Sequence, residues 1–448
     1  MTKDLTEGKP NEVLWKFTMP MFVSVVFQQL YNIADSIIAG KFAGENALAA
    51  VGASYPITMI FMAIAVGSNI GCSVIISQLF GAKKYGKMKT AISTTMIASV
   101  IVSIVLTILG LLSSAWFMLM INTPGNIFED GALYLRIYIG GFIFLFLYNI
   151  ATGIFTSLGD SKTPLYFLIG SSIGNVILDL LFVAVFHWGV AGVAWATFMA
   201  QGVACIFVII TLVTRIKQIR ITEPFQKFSW EMLGKISFIA IPSILQQSFI
   251  SIGNIFIQSL VNSFGSSVIA GYSAAIKLNT FTITGLMTMG NGISSFSAQN
   301  IGAGKKERVN QGFRAGIKLA VIVVVPFFFL YFFFGTTVMS FFLNAGSRQA
   351  MNTGVKFLRI VSPFYFVVAV KLISDGVLRG SGAMRQFMIS TFTDLILRVV
   401  LAYIFASFWA ENGIWLSWPF GWTVGTIAAY LFYHSGVWAK TTKIGDYD

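Results

Sequence analysis

The chain carries one pattern twice. Without a gap from Gly44 to Lys84, residue n resembles residue n+221: Gly44 and Gly265, Ala49 and Ala270, Gly71 and Gly292, Gln78 and Gln299, Gly81-Ala82 and Gly302-Ala303. A second echo, at an offset of 223, pairs Gly153 and Gly159 with Gly376 and Gly382. A period of half the chain predicts two similar lobes. In a duplicated membrane protein the working surfaces are expected at the seam between them.

Membrane residence follows from composition: 56% of residues are hydrophobic and only 10% charged, too apolar for a soluble globule of 448 residues. A spanning helix needs roughly 20 apolar residues. Charged and Gly/Pro-rich breaks divide the sequence into about twelve such stretches, near 13–39, 50–80, 90–120, 131–157, 164–186, 190–213, 234–262, 270–301, 311–343, 356–378, 386–408 and 412–438. The expected fold is therefore an all-α membrane protein of twelve transmembrane helices in two six-helix lobes. Six is even, so both lobes enter the membrane the same way round and are related by a pseudo-twofold axis along its normal. The lobes divide as 1–220 and 221–448, joined by a polar connection over about 214–234 that contains Pro224.

The net charge of +13 resembles a nucleic-acid footprint until it is mapped along the chain. With the N-terminus inside, Lys83, Lys84, Lys87, Lys89, Arg215, Lys217, Arg220, Lys305, Lys306 and Arg308 fall on one face, as do Lys3, Lys9, Lys16, Arg385, Lys440 and Lys443. The opposite face receives only a few, such as Lys41, Arg136 and Arg348. This is the positive-inside bias; it predicts cytoplasmic termini in a cell membrane and no nucleic-acid partner. The first dozen residues are polar and lack the layout of a removable signal peptide. Cys72 and Cys205 sit in apolar helices and read as small buried hydrophobes. His187 in a loop and His434 near an inner helix end have no metal-ligand spacing around them, and no cofactor is expected.

Ionisable groups inside the membrane cost roughly 2.5–3.5 kcal/mol each on insertion scales and therefore need a reason. Seven fall there: Asp35, Asp179, Lys277, Lys371, Asp375, Asp394 and Arg398. The second lobe's charges come with neighbours. Lys371 and Asp375 are spaced i, i+4, as are Asp394 and Arg398, and helix depth also allows Lys371 to meet Asp394 across helices. This intramembrane network is either a neutralised brace between two helices or a second ion or substrate site. Lys277 has no local partner and either lines the cavity or snorkels outward.

In the first lobe, Asp35 and Asp179 have no Lys or Arg within a helical turn. Counting depth along the spans puts Asp35, Asp179 and Thr197 at one level, with Asn175 a turn from Asp179 on the same face. Two carboxylates, an amide and a hydroxyl form an all-oxygen set that suits sodium, or a carboxylate pair that shares one proton. The alternative is a buried polar cluster satisfied by its own hydrogen bonds. Pro20 lies inside the first helix and acts either as a fixed kink or as a conformational hinge.

The stretch Gln28-Gln29-Leu30-Tyr31-Asn32-Ile33-Ala34-Asp35-Ser36, Gly40 and the run from Ala47 to Gly52 resemble the first helix of the multidrug and toxic compound extrusion (MATE) family, in the MOP superfamily. The Gln-x-x-Gly-Ala copies at Gln78 and Gln299, and Gly376-Val377-Leu378-Arg379-Gly380, resemble that family too. The resemblance covers essentially the whole chain. It implies a monomeric antiporter, not an enzyme, in which inward flow of sodium or protons drives export of amphipathic, often cationic compounds. In the DinF-like branch a helix 1 aspartate, a helix 5 asparagine and aspartate four apart, and a helix 6 threonine form a cation site. Asp35, Asn175, Asp179 and Thr197 match that pattern, and Pro20 matches the helix 1 proline. The NorM-like branch has a glutamate in helix 7; here Ile250 stands near that point, with no acid between Glu231 and Glu307.

Two other functions compete. A flippase of the same superfamily, moving lipid-linked anionic glycans, would want a basic cavity, to which Lys277, Lys371 and Arg398 could contribute. A membrane-embedded lipid-modifying enzyme would need a nucleophile, metal cluster or phosphate clamp, and none has convincing spacing.

Overall fold

The computed structural model describes residues 4–219, 221, 223–343 and 348–440; Lys3, Arg220 and Lys443 of the expected basic face lie outside them. Every regular element among these residues is helical. Helix α1 (Pro10–Ile38) runs on into a π-helical turn (Ala39–Ala43), followed by α2 (Glu45–Gly81) and α3 (Tyr85–Met120). Next come α4 (Gly125–Gly140) and α5 (Phe142–Ser157), a single span bent by 46° at Gly141. Helix α6 (Lys162–Asp179) continues into a second π turn (Leu180–Val185), and α7 (Gly189–Gln218) closes the first repeat.

The second repeat holds α8 (Trp230–Asn262), α9 (Ser266–Gly302), α10 (Lys306–Phe333) and a short α11 (Gly335–Ser340). Helix α12 (Arg348–Val361) reaches α13 (Tyr365–Gly380) through a 3₁₀ turn at Ser362–Phe364, and α14 (Met384–His434) and a short α15 (Val437–Lys440) end the described chain.

Nine of these segments are long and apolar enough to cross a membrane, counting α12 with α13. The 51-residue α14 among them is two spans, because Trp409 and Ala410 leave helical geometry and the chain turns back so that Gly413 meets the Phe405 backbone. The bent α4–α5 pair adds another. Helix α9 is long enough at 37 residues but is diluted by Ser, Thr, Asn, Gly and Lys277. With these the chain has the twelve spans and two-lobed, six-plus-six plan read from sequence. The expected ninth span overshoots: α10 ends at Phe333 and α11 occupies the outer part of that stretch.

The described chain forms two compact units whose limits cut across the repeats. One takes in Val23–Ser248; the other takes in Leu5–Phe22 and the chain from Phe249 on. Each unit therefore contains the beginning of the other repeat's first helix. The duplicated glycines explain how it fits. A Cβ on Gly71 would lie 2.5 Å from the Ala240 Cβ and 2.7 Å from its Cα, so α2 accepts α8 only because that position is bare. Gly292, its counterpart 221 residues later, does the same for α1: a Cβ there would stand 2.5 Å from the Thr18 methyl.

The polar segments ahead of these helices are tied down in parallel fashion. In one unit the Leu5 amide donates to Gln299 Oε1 at 2.9 Å, Asn300 Nδ2 donates to the Leu5 carbonyl at 3.2 Å, and Arg308 Nη1 donates to the Gly8 carbonyl at 2.8 Å. In the other, the Gln226 and Ser229 amides donate to Thr90 and Thr94 Oγ1, each at 3.0 Å. The repeated Gln-x-x-Gly-Ala element of the second repeat thus contributes Gln299 to the anchoring of the N-terminal segment.

Candidate cation site

Helix α6 is built inside out. Its two buried residues are the polar ones, Asn175 and Asp179, whereas Ile173 and Ile177 beside them are exposed. Four residues apart, Asn175 and Asp179 share one face, and that face meets α7. Asn175 Nδ2 donates to Thr197 Oγ1 at 3.4 Å, and the Thr197 hydroxyl donates to the Val193 carbonyl at 3.2 Å. The threonine's hydrogen is thereby spent backwards on its own helix. Its lone pairs remain on the α6 side.

Asp35, near the end of α1, faces Asp179 within side-chain hydrogen-bonding reach. The structure thus brings together all four residues matched in sequence. Both acids precede a π turn: Asp179 is the last α-helical residue before Leu180–Val185, and Asp35 stands one turn before Ala39–Ala43. Such turns break the regular i→i+4 ladder and occur frequently at functional sites. Here the two π segments pack together, with Ile38, Ala39, Val183 and Val193 forming a buried hydrophobic cluster.

The hydrogen-bond inventory is lopsided. Asp35 Oδ1, Asn175 Oδ1 and both Asp179 oxygens are buried without a donor, and Asp179 is 0% exposed. Neither acid forms an ion pair among the described residues. Unsatisfied buried acceptors are costly, and two facing carboxylates cannot both hold an unneutralised charge there cheaply. What the arrangement can do is accept a cation or a proton. No group of three or more His, Cys, Asp or Glu side chains gathers among the described residues.

Two tyrosines complete the surroundings. Tyr31 of α1 stands near Thr197 and both acids, and Tyr134 of α4 lies near the same pair. Tyr31 lies four residues before Asp35, so helical spacing was an available signal. Tyr134 has none, because only packing brings α4 to this place. Pro20 lies far back on α1, two residues before the helix passes from one unit into the other.

The second lobe's charges form a different kind of cluster. Lys371 Nζ stands 2.8 Å from Asp375 and 3.6 Å from Asp394, and Ser390 Oγ donates to Asp375 Oδ1 at 2.6 Å. The sequence spacing suggested Asp394 with Arg398, but the two form no ion pair; the cross-helix option, Lys371 with Asp394, is the one adopted. Arg398 lies instead over the Trp418 ring, its Cζ 4.3 Å from the centroid. Lys277 is exposed and unpaired among the described residues. Cys72 and Cys205 are buried free thiols.

Known proteins resemble this chain over its whole length. It is 29% identical to the probable multidrug resistance protein YpnP of Bacillus subtilis, covering 98% of each chain. With the probable multidrug resistance protein YoeA of the same organism it shares 26%, over 97% of this chain and 96% of the relative. Among solved structures, a crystal structure of MATE in complex with MaL6 superposes with a TM-score of 0.92 at 24% identity, covering 98% of this chain and all of that one. An outward-facing multidrug resistance MATE transporter of the MOP superfamily gives 0.91 at 23%, covering 98% of both. The MatE family model matches twice, over residues 20–181 and 242–404, once in each repeat. The chain is thus a multi-pass membrane transporter rather than an enzyme, and it belongs to the MatE family.

Proposed function

We propose that this protein exports amphipathic, chiefly cationic organic compounds across the cell membrane in exchange for sodium or protons, with Asp35, Asn175, Asp179 and Thr197 as its cation site. Multidrug export is the activity in the names of its relatives, including the multidrug export protein MepA of Staphylococcus aureus. The observation that carries the cation site is the set of buried acceptor oxygens on Asp35, Asn175 and Asp179 that lack any donor. One positive charge among them satisfies the orphaned oxygens and removes the repulsion between the acids.

Coupling follows from packing. The acids belong to α1 and α6, so neutralising the pair lets these helices approach, and releasing the charge drives them apart. Pro20 interrupts the hydrogen-bond ladder of α1 and makes bending there cheap. The cation thereby biases an equilibrium between outward and inward openings instead of joining a reaction. The excess of Lys and Arg in one set of loops supports cytoplasmic termini, and the working unit in this reading is the monomer.

Efflux of a cationic dye from proteoliposomes under separately imposed proton and sodium gradients tests the reading. Acceleration by at least one gradient is expected. Equal rates with both gradients collapsed would refute ion coupling.

A further inference from the structure

The buried charges of the second lobe do not balance. Lys371 takes both carboxylates, Asp375 and Asp394. Arg379 hydrogen-bonds to the neutral Asn291 amide at 2.6 Å, lies over the Phe387 ring and feels Asp375, which Lys371 already pairs. Arg398, 5% exposed, makes no hydrogen bond at its Nε or Nη2. These two atoms form the side-on edge of the guanidinium, whose parallel N–H bonds match the two oxygens of a carboxylate.

We propose that Arg398 is the centre of an organic-anion site that binds a carboxylate group on its Nε–Nη2 edge, within an aromatic box formed by Tyr272, Phe357, Trp415 and Trp418. Trp418 covers the guanidinium face, which leaves the edge as its free hydrogen-bonding surface. Trp415 stacks on Tyr272 at 5.2 Å between centroids, and Phe357 meets Trp415 and Trp418 edge-on at 5.3 and 5.9 Å. The indole Nε1 of Trp415 and of Trp418 is likewise buried without an acceptor. The orphan atoms on Arg398 and the two tryptophans are donors, and the one orphan acceptor beside them is Asp394 Oδ1.

At Gly421 the second arm of α14 packs closely against Asp394 and Arg398 of the first. A Cβ there would stand 3.0 Å from the Arg398 Cβ and 3.1 Å from Asp394 Oδ1. Asp394 and Tyr272 are the titratable groups that face Arg398. Asp394 is the nearer candidate partner; its Oδ2 is turned to Lys371, and its Oδ1 neither hydrogen-bonds nor ion-pairs with Arg398, so its single charge is already shared with Lys371. A water could bridge some of these donors, yet it would leave the surplus positive charge uncompensated in low dielectric. A carboxylate answers both deficits. It arrives either as a small resident counter-ion or as the acid group of an amphipathic substrate, for which the aromatic box supplies apolar contact.

The test is calorimetric titration of the purified full chain with acetate and with benzoate at constant sodium and pH, chloride being the reference anion. Saturable binding of acetate supports a resident counter-ion; binding of benzoate with tenfold or greater preference over acetate supports a substrate acid. In either case Arg398→Lys, which keeps the charge but loses the paired edge, should weaken binding at least tenfold. Asp35→Asn should leave it unchanged, so the result stands apart from the first-lobe cation site. No saturable binding of either carboxylate, or equal binding in folded Arg398→Lys, would overturn the proposal.

Discussion

Lys371 holds Asp394 across the gap between α13 and α14, at 3.6 Å, while also holding Asp375 one turn along its own helix at 2.8 Å. All three are almost fully buried, so the lysine is the shared partner of two acids that have no other ion pair among the described residues. Removing one partner of a buried pair typically costs about 3–5 kcal/mol because the other charge is stranded.

The three positions should therefore respond unequally to neutral substitution. Lys371→Gln strands two acids and should be the most destabilising; Asp394→Asn leaves Lys371 with Asp375 and should cost less. Adding Asp394→Asn to Lys371→Gln should recover part of the loss. Thermal unfolding in detergent reads this order directly, and a Lys371→Gln protein with wild-type stability would show that the cluster is not a brace.

The duplicated glycines give a second ordering. At Gly292 the obstruction to a Cβ is the Thr18 methyl, whereas at Gly71 it is the Ala240 backbone as well as its Cβ. Gly292→Ala should be rescued by Thr18→Ala, which removes that methyl; Gly71→Ala has no such side-chain remedy and should yield far less folded protein. Monodisperse yield on size exclusion checks both, and failure of the Thr18→Ala rescue would count against the close-approach account.

Pro20 should affect rate more than affinity. If α1 bends there during each cycle, Pro20→Ala restores the helical ladder, stiffens the joint and lowers turnover several-fold while substrate Kd stays within about twofold of wild type. Dye efflux rates and equilibrium binding on the same preparation separate the two. Unchanged turnover would make Pro20 a static feature.

Much of this molecule was readable because lipid imposes simple rules. Span lengths follow from helix rise, and the duplication locates matching elements, so the meeting of Asp35 with Asp179 and Thr197 could be reached by counting depth. What escaped the sequence depends on packing without a periodic trace. Tyr134 reaches the acids from α4, Arg398 forms no ion pair with Asp394 despite their i, i+4 spacing and lies over Trp418 instead, and the beginnings of α1 and α8 are exchanged between the units. The π turn after Asp179 lies in an ordinary apolar run with no Gly or Pro to mark it, whereas the one after Asp35 contains Gly40 and Lys41.

The most direct test of the account is gradient-driven dye transport by Asp179→Asn in proteoliposomes, with dye binding measured on the same protein. Asp179 contributes two of the buried oxygens that lack a donor, and an amide cannot take up the proton or the cation charge in its place. The account predicts that the variant folds and binds dye with near wild-type affinity but gains nothing from an imposed sodium or proton gradient. Gradient-stimulated transport at the wild-type rate would contradict it.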